Sequence, residues 1–102
     1  MSIKTDHSDD GKTLTIRIDG RFDFSSHQGF RDAYESAEPT VNEYIVDMSD
    51  TTYLDSSALG MLLLLRDYAG GDRGRVRIEN CNSDVHRILT ISNFEQLFDI
   101  RS

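Results

Sequence analysis

Residues 44–48 constrain the fold most strongly, because every position in this segment except Asp47 is apolar. A strand that is apolar on both faces is typical of the centre of a parallel sheet. Two parallel strands cannot be joined by a tight turn, and a helix usually makes the crossover between them. The sequence is therefore predicted to alternate strands with single helices in an α/β fold.

The segments before this strand predict an antiparallel β-hairpin. Residues 3–7 form a short candidate strand. Residues 12–19 alternate between apolar and polar side chains, with one apolar face formed by Leu14, Ile16 and Ile18. A half-buried strand of this kind is expected to pair with the first one across a turn of Ser, Asp and Gly residues.

A loop and a helix are predicted between the hairpin and the central strand. Residues 20–24 are predicted to be the loop, and Ser25 or Ser26 can cap the helix that follows. Pro39 ends this helix. Its apolar stripe has the spacing i, i+3, i+4 and i+7 and consists of Phe30, Ala33, Tyr34 and Ala37.

The remaining chain completes the α/β pattern. Residues 56–70 predict a long helix that is closed by glycines, and residues 75–80 alternate as a strand. Asn82 or Ser83 caps a third helix, and residues 94–100 predict a helical turn followed by an edge strand. The expected fold is a mixed, mostly parallel sheet of four to five strands, with an N-terminal β-hairpin and three or more helices packed on it.

The composition excludes several classes of function. The chain has 102 residues, of which 37% are apolar, and is predicted to be one domain over residues 1–102. The formal net charge is -7 and the basic residues form no dense block in the sequence. This charge argues against nucleic acid as a partner and against adhesion to anionic membranes.

No metal site and no cofactor are expected. Cys81 is the single cysteine, which excludes an internal disulfide and a multi-cysteine zinc site. The N-terminal residues lack the apolar run of a signal peptide, and residues 61–65 are too few to span a bilayer. We therefore expect a cytoplasmic, monomeric protein without membrane insertion.

The candidate functional motif is Asp55-Ser56-Ser57, at the start of the long helix. A helix N-terminus has free N–H groups and partial positive charge, so it tolerates an added phosphate. Three roles are open for Ser56: a helix cap, a nucleophile, or a phosphoacceptor. The nucleophile is disfavoured because no G-x-S-x-G elbow and no histidine motif accompany it. Asp23 follows an earlier strand and is expected on the same edge of the sheet, as a turn residue, a cap or an added charge near Ser56.

The long helix has more leucines than one buried face can hold. At 100° per residue, the core arc consists of Ala58, Met61, Leu62, Leu65 and Ala69. The opposite arc contains Ser56, Gly60, Leu63 and Asp67, with Leu64 at its edge. These leucines are either isolated exposed residues, covered by a connection, or anchors of a partner-docking face in which Gly60 permits close approach. The docking face is favoured because the apolar excess and the hydroxyl lie together.

These residues resemble the STAS domain, specifically the bacterial anti-sigma factor antagonists. The resemblance spans nearly the whole chain and is carried by the Gly20-x-x-Asp23 loop, by residues 45–48 and by the Asp-Ser-Ser-Ala-Leu-Gly motif of residues 55–60. Residues 82–91 and 98–100 also fit. Ala58 stands where the family often has glycine.

The resemblance implies a phosphorylation switch and no enzymatic activity. The phosphorylated serine would be Ser56, with Asp55 as the adjacent acid and Asp23 as the loop acid near the kinase interface. The partners implied are an anti-sigma factor or serine kinase and a PP2C-type phosphatase or a response regulator that carries one. The expected partner-binding residues are Asp23, Asp55, Ser56, Ser57, Gly60, Leu63 and Leu64. The alternative is a STAS subunit of an ABC-type transport complex for lipid or solute, in which the same helix is a permanent interface.

Overall fold

The computed structural model describes residues 2–101, which form six strands and three α-helices. The strands are β1 (Ser2–His7), β2 (Thr13–Phe22), β3 (Glu43–Asp47), β4 (Thr51–Leu54), β5 (Val76–Glu79) and β6 (Asp99–Arg101). The helices are α1 (His27–Glu35), α2 (Ser56–Tyr68) and α3 (Ser83–Ile91). Three short 3-10 helices cover Phe24–Ser26, Gly71–Arg73 and Phe94–Gln96.

The sheet has the strand order β1-β2-β3-β5-β6, and β4 pairs with the far end of β2. Only β1 and β2 are antiparallel, and every other pair is parallel. The predicted α/β fold, with an N-terminal hairpin and a mostly parallel sheet, is confirmed. The central position predicted for residues 44–48 is also confirmed, since β3 lies between β2 and β5.

One predicted loop is wrong. Residues 20–24 were expected to leave the sheet, but β2 continues to Phe22, whose side chain is fully buried. The pairing of β2 passes from β3 to β4 at a register shift between Gly20 and Arg21. Strand β4 was not predicted, and it brings the sheet to six strands. It has only four residues, two of which are exposed threonine and tyrosine, so its sequence has little strand pattern.

The hydrophobic core lies on one face of the sheet, between the strands and the helices. The apolar stripe of α1 packs there as predicted, with Phe30 and Tyr34 buried and the alanines partly buried against the core. The core arc predicted for α2 is buried as well, apart from Ala69, which is partly buried. Burying a leucine side chain completely stabilises the fold by about 1.5–3 kcal/mol.

The other face of the sheet carries polar and charged side chains. Asp47 of β3 is buried there beside Arg17 of β2, at 3.3 Å. Burial opposes ionisation of Asp47, but hydrogen bonds from the Ser49 amide and from Asn80, together with the Arg17 charge, outweigh it and lower the pKa of the carboxyl. Asp47 is therefore a buried carboxylate that joins three segments of the chain.

Candidate functional site

The site is built where β2 and β4 end side by side. Phe22 and Leu54 are the last residues of these parallel strands and are register partners. Both side chains are buried, and the amide of Asp55 donates to the carbonyl oxygen of Phe22 at 3.3 Å. Asp23 and Asp55 directly follow the two strands, so the structure brings these two predicted site residues to one edge of the sheet, as the sequence indicated.

Asp23 caps the 3-10 helix that leads into α1. Its carboxylate accepts hydrogen bonds from the Ser25 amide, at 3.0 Å, and from the Ser25 hydroxyl, at 2.6 Å. The Ser26 hydroxyl accepts a reciprocal bond of 3.3 Å from the Asp23 amide, which completes a capping box. The Ser25 hydroxyl lowers the pKa of Asp23, with a further contribution from nearby Arg21, so this carboxylate stays charged near neutral pH.

The predicted capping of α1 by Ser25 or Ser26 is wrong. Ser26 occupies the N-cap position of α1, but its side chain makes no capping hydrogen bond to that helix. Both hydroxyls are engaged with Asp23 instead, because the chain first makes the 3-10 turn. For Asp23, the structure bears out the role of a cap, and the same carboxylate lies at the end of the strand that pairs with β4, next to Asp55 and Ser56 in the fold.

Asp55 is the N-cap of α2, so the next residue, Ser56, is not needed to cap the helix. The Asp55 carboxylate accepts a 2.9 Å hydrogen bond from the amide of Ala58. Ser56 is the first residue of the helix and is exposed, and its hydroxyl makes no side-chain hydrogen bond within residues 2–101. Ser57 is half-buried. Of the three roles open for Ser56, the structure does not support the helix cap.

The outward face of α2 matches the helical geometry of the sequence. Leu63 and Leu64 are 39% and 52% exposed, whereas Leu62 and Leu65 are fully buried. Gly60 is exposed, and a Cβ atom added there would meet nothing within 4 Å. Ser56, Gly60, Leu63 and Leu64 therefore share one exposed face, which starts at a hydroxyl without a side-chain hydrogen bond and also includes the exposed Asp67. We call it the α2 strip.

Sequence reasoning missed two aromatic residues beside this site. Phe24, directly after Asp23, is 73% exposed and stacks on His27 with ring centroids 6.1 Å apart. Tyr53 is exposed on β4, and the Arg21 guanidinium lies 4.4 Å from its ring centroid. Phe24 was missed because residues 20–24 were predicted to be a loop. Since β2 in fact continues to Phe22, Phe24 lies just beyond the end of this strand, beside Asp23.

Residues 2–101 contain neither a candidate metal-binding cluster nor a helix that could cross a membrane. Within residues 2–101, no three His, Cys, Asp or Glu side chains are grouped so that they could hold a metal ion. None of the helices in that range has the length and apolar character needed to cross a membrane. Cys81 is buried, and burial raises the pKa of its thiol to about 11, as expected for a packed residue rather than a reactive one.

Comparison with known proteins settles the family. The family model described as "Mlab, STAS domain" matches residues 5–100. The chain belongs to the STAS domain family. A STAS-domain containing protein of Pseudomonas aeruginosa is 59% identical over 100 residues, which cover 98% of this chain and 99% of that protein. The resemblance read from the Asp55 to Gly60 motif is thus confirmed at the level of the family.

Solved structures of low identity share the fold. A putative anti-sigma factor antagonist of Thermotoga maritima has a TM-score of 0.84 at 17% identity, over 98% of this STAS domain and 86% of that chain. The unphosphorylated form of the anti-sigma factor antagonist SpoIIAA gives 0.73 at 18%, over 99% and 87%. Its phosphorylated form gives 0.66 at 17%, over 99% and 92%. A sulfate transporter family protein of Wolinella succinogenes gives 0.75 at 17%, over 87% and 75%.

Proposed function

We propose that this STAS domain is a phosphorylation-controlled binding protein of the anti-sigma factor antagonist type. In its unphosphorylated form it binds an anti-sigma factor or serine kinase through the α2 strip. Phosphorylation of Ser56 releases that partner, and a PP2C-type phosphatase restores binding. The single observation that carries the proposal is the exposed, unengaged hydroxyl of Ser56 at the start of a helix whose cap is supplied by Asp55.

Electrostatics supports a release on phosphorylation. A phosphate adds about -1.5 to -2 charges at pH 7. Asp55 is the adjacent residue, and Asp23 lies at the end of the neighbouring strand with a lowered pKa. The added charge therefore enters a rim that holds two carboxylates, of which Asp23 is paired with Arg21 at 3.7 Å. Docking of a partner would remove water from the phosphate and from these carboxylates together, which strengthens their mutual repulsion and adds the cost of desolvating the phosphate.

The fold itself is expected to tolerate the modification. The phosphate would lie at the N-terminus of a helix of thirteen residues, where the helix dipole and the free N–H groups favour an anion. The Ser56 side chain is exposed, so no buried contact is displaced. The effect of phosphorylation therefore falls on the partner interface rather than on stability.

Phosphosite mapping tests the proposal in cells. Wild-type protein and the variants Ser56→Ala and Ser57→Ala are recovered from cells grown in two conditions, and their intact masses are compared. We expect a phosphorylated fraction in the wild type and in Ser57→Ala, and none in Ser56→Ala. A phosphorylated fraction of undiminished size in Ser56→Ala would remove Ser56 from the mechanism.

A second candidate, a subunit of a lipid or solute transport complex, is favoured by the likeness to the sulfate transporter family protein. In that role the α2 strip would be a permanent interface, and Ser56 would need no phosphate. Constitutive co-purification with a membrane ATPase, unchanged by Ser56→Asp, would favour this candidate. Loss of the bound partner in Ser56→Asp would favour the switch.

A further inference from the structure

The fold gathers arginines that the sequence keeps apart. Arg66, Arg75, Arg77 and Arg101 line one cavity of about 380 Å³. They are four of only eleven Lys and Arg residues in a chain of net charge -7. The cavity is lined by the first residues of β3 and β5, whereas Ser56 lies beyond the last residues of β2 and β4. Because these strands are parallel, the cavity is at the opposite edge of the sheet from Ser56.

Two of the arginines are fixed in place and partly removed from water. The Arg66 Nε donates to the carbonyl oxygen of Leu97 at 3.1 Å, its Nη2 pairs with Asp72, and its side chain is 21% exposed. Arg77 pairs through Nε with Glu79 and lies 3.6 Å from Glu43, with 22% of its side chain exposed. A guanidinium has five N–H donors, so both groups retain donors beyond these contacts.

The other two arginines are more exposed. Arg75 is exposed and makes no ion pair or side-chain hydrogen bond with any residue from 2 to 101. Arg101 pairs with Asp99 at 3.0 Å on the surface. Surface pairs of this kind contribute little to stability, about 0–1 kcal/mol. Both guanidinium groups are therefore available to an anion at little structural cost.

The charged part of the lining consists of four guanidinium groups and the carboxylates of Glu43 and Asp99, and the remaining lining residues are Gly71, Gly74, Val76 and Leu97. Asp72 and Glu79 do not line the cavity but pair with Arg66 and Arg77, so Arg75 is the one of the four arginines without a carboxylate partner within residues 2–101. Arginine binds phosphate oxygens with paired N–H donors, whereas carboxylates accept hydrogen bonds from hydroxyl groups. No aromatic ring lines the cavity, so it lacks a platform for stacking a nucleobase.

We infer that this cavity binds a small phosphorylated polyol. Arg75 and the fixed guanidinium groups of Arg66 and Arg77 hold the phosphate, and Glu43 and Asp99 accept hydrogen bonds from its hydroxyl groups. The volume lies within the range of pockets that hold small ligands. The site has no part in the proposed switch at Ser56, so either can fail without the other.

Titration of isotope-labelled protein, followed by NMR, tests the site. The probes are β-glycerophosphate, glycerol and inorganic phosphate at constant ionic strength. We expect saturable amide shifts in residues 74–77 and 99–101 with β-glycerophosphate, weaker binding of inorganic phosphate and none of glycerol. Arg75→Ala should weaken the binding of β-glycerophosphate by about tenfold or more, because a charged hydrogen-bond donor is lost.

Arg31→Ala is the matched control, because Arg31 is an exposed arginine on α1 whose one ion pair within residues 2–101 is with Glu35. It should bind β-glycerophosphate like the wild type. Arg75 is exposed and makes no ion pair or side-chain hydrogen bond within residues 2–101, so its replacement is not expected to disturb the fold. The absence of saturable shifts with either phosphate probe would show that the arginines form a structural ion-pair network only. Equal binding by Arg75→Ala and the wild type would also overturn the assignment.

Discussion

The backbone N–H of Asp55 donates a 3.3 Å hydrogen bond to the carbonyl oxygen of Phe22. This bond ties the start of α2 to the end of β2, because Asp55 is the N-cap of the helix. The position of the Ser56 hydroxyl is thus set by two paired strands and a capped helix rather than by a free loop. A modification site on such a scaffold presents its charge at a fixed place.

The cap and the charge of Asp55 can be separated by substitution. Asp55→Ala removes the acceptor for the Ala58 amide and should lower the free energy of unfolding by about 1 kcal/mol. Asp55→Asn removes the charge but keeps a good capping residue. Its free energy of unfolding should therefore lie within a few tenths of a kcal/mol of the wild-type value. Urea denaturation of the three proteins measures this. Equal losses in both variants would mean that the charge, not the cap, stabilises α2.

Leu62 and Leu63 are neighbours in sequence with opposite environments. Leu63→Glu should change stability by no more than about 0.5 kcal/mol, since the side chain is partly exposed, and it should weaken partner binding. Leu62→Glu should cost about 4 kcal/mol or more, because it buries an unpaired charge in the core. Thermal melts compare the two. Similar collapse of both variants would make Leu63 a core residue and remove the α2 strip.

Gly60 tests whether a partner approaches the helix closely. Gly60→Ala should raise the free energy of unfolding by about 0.5–1 kcal/mol, because alanine restrains the unfolded chain and meets no atom in the folded one. If the partner packs against the backbone at this position, the same variant should bind it more weakly. A variant that is more stable and binds as well as the wild type would show that the partner does not contact Gly60.

Phe24 is expected to be an apolar anchor for the partner. Phe24→Ala should leave stability within about 0.5 kcal/mol of the wild type, because the ring is largely exposed, and should weaken partner binding by about tenfold. Ile91→Ala is the control, since Ile91 is the last residue of α3 and is 74% exposed. Equal weakening by both variants would point to a general loss of apolar surface instead.

Asp47 should make the fold sensitive to acid. Its pKa is lowered in the folded protein, so its stabilising contribution is present above the unfolded-state pKa of about 3.9 and is lost as the pH falls through the lower folded-state value. Asp47→Asn should therefore be less stable than the wild type near neutral pH, and the difference should shrink below about pH 4. Denaturation at several pH values measures it. A constant difference across that range would show that the charge of Asp47 is not what stabilises the fold.

The parts of the fold that repeat a pattern could be predicted from the sequence. The helical period placed Leu62 inside and Leu63 outside on α2, because one helix packed on one sheet buries one arc. The alternation of apolar and polar residues in β2 predicted its buried face, because successive side chains of a strand point to opposite faces of the sheet. Strand β4 could not be predicted, because its four residues have no apolar alternation and it is stabilised by pairing with the end of β2.

The parts of the site that belong to the local sequence motif could be predicted. The parts formed by residues that come together from distant segments of the chain could not. The motif placed Asp55 and Ser56 at the start of a helix, and the strand order placed Asp23 near them. The exposure of Phe24 depends on where β2 ends, which the glycine at position 20 obscured. The cavity joins arginines that are up to 35 positions apart, Arg66 to Arg101, and no local sequence pattern predicts that these side chains line one cavity.

The most direct test of the switch is a calorimetric titration of the purified partner with three forms of the domain: Ser56→Ala, Ser56→Asp and Ser57→Asp. We expect Ser56→Ala to bind like the unphosphorylated wild type, and Ser56→Asp to bind more weakly by about tenfold or more, because a like charge is added beside Asp55. Ser57→Asp adds the same charge at a half-buried neighbour, and its circular dichroism spectrum shows whether the fold is kept. Equal affinity of Ser56→Ala and Ser56→Asp for the partner would contradict the mechanism.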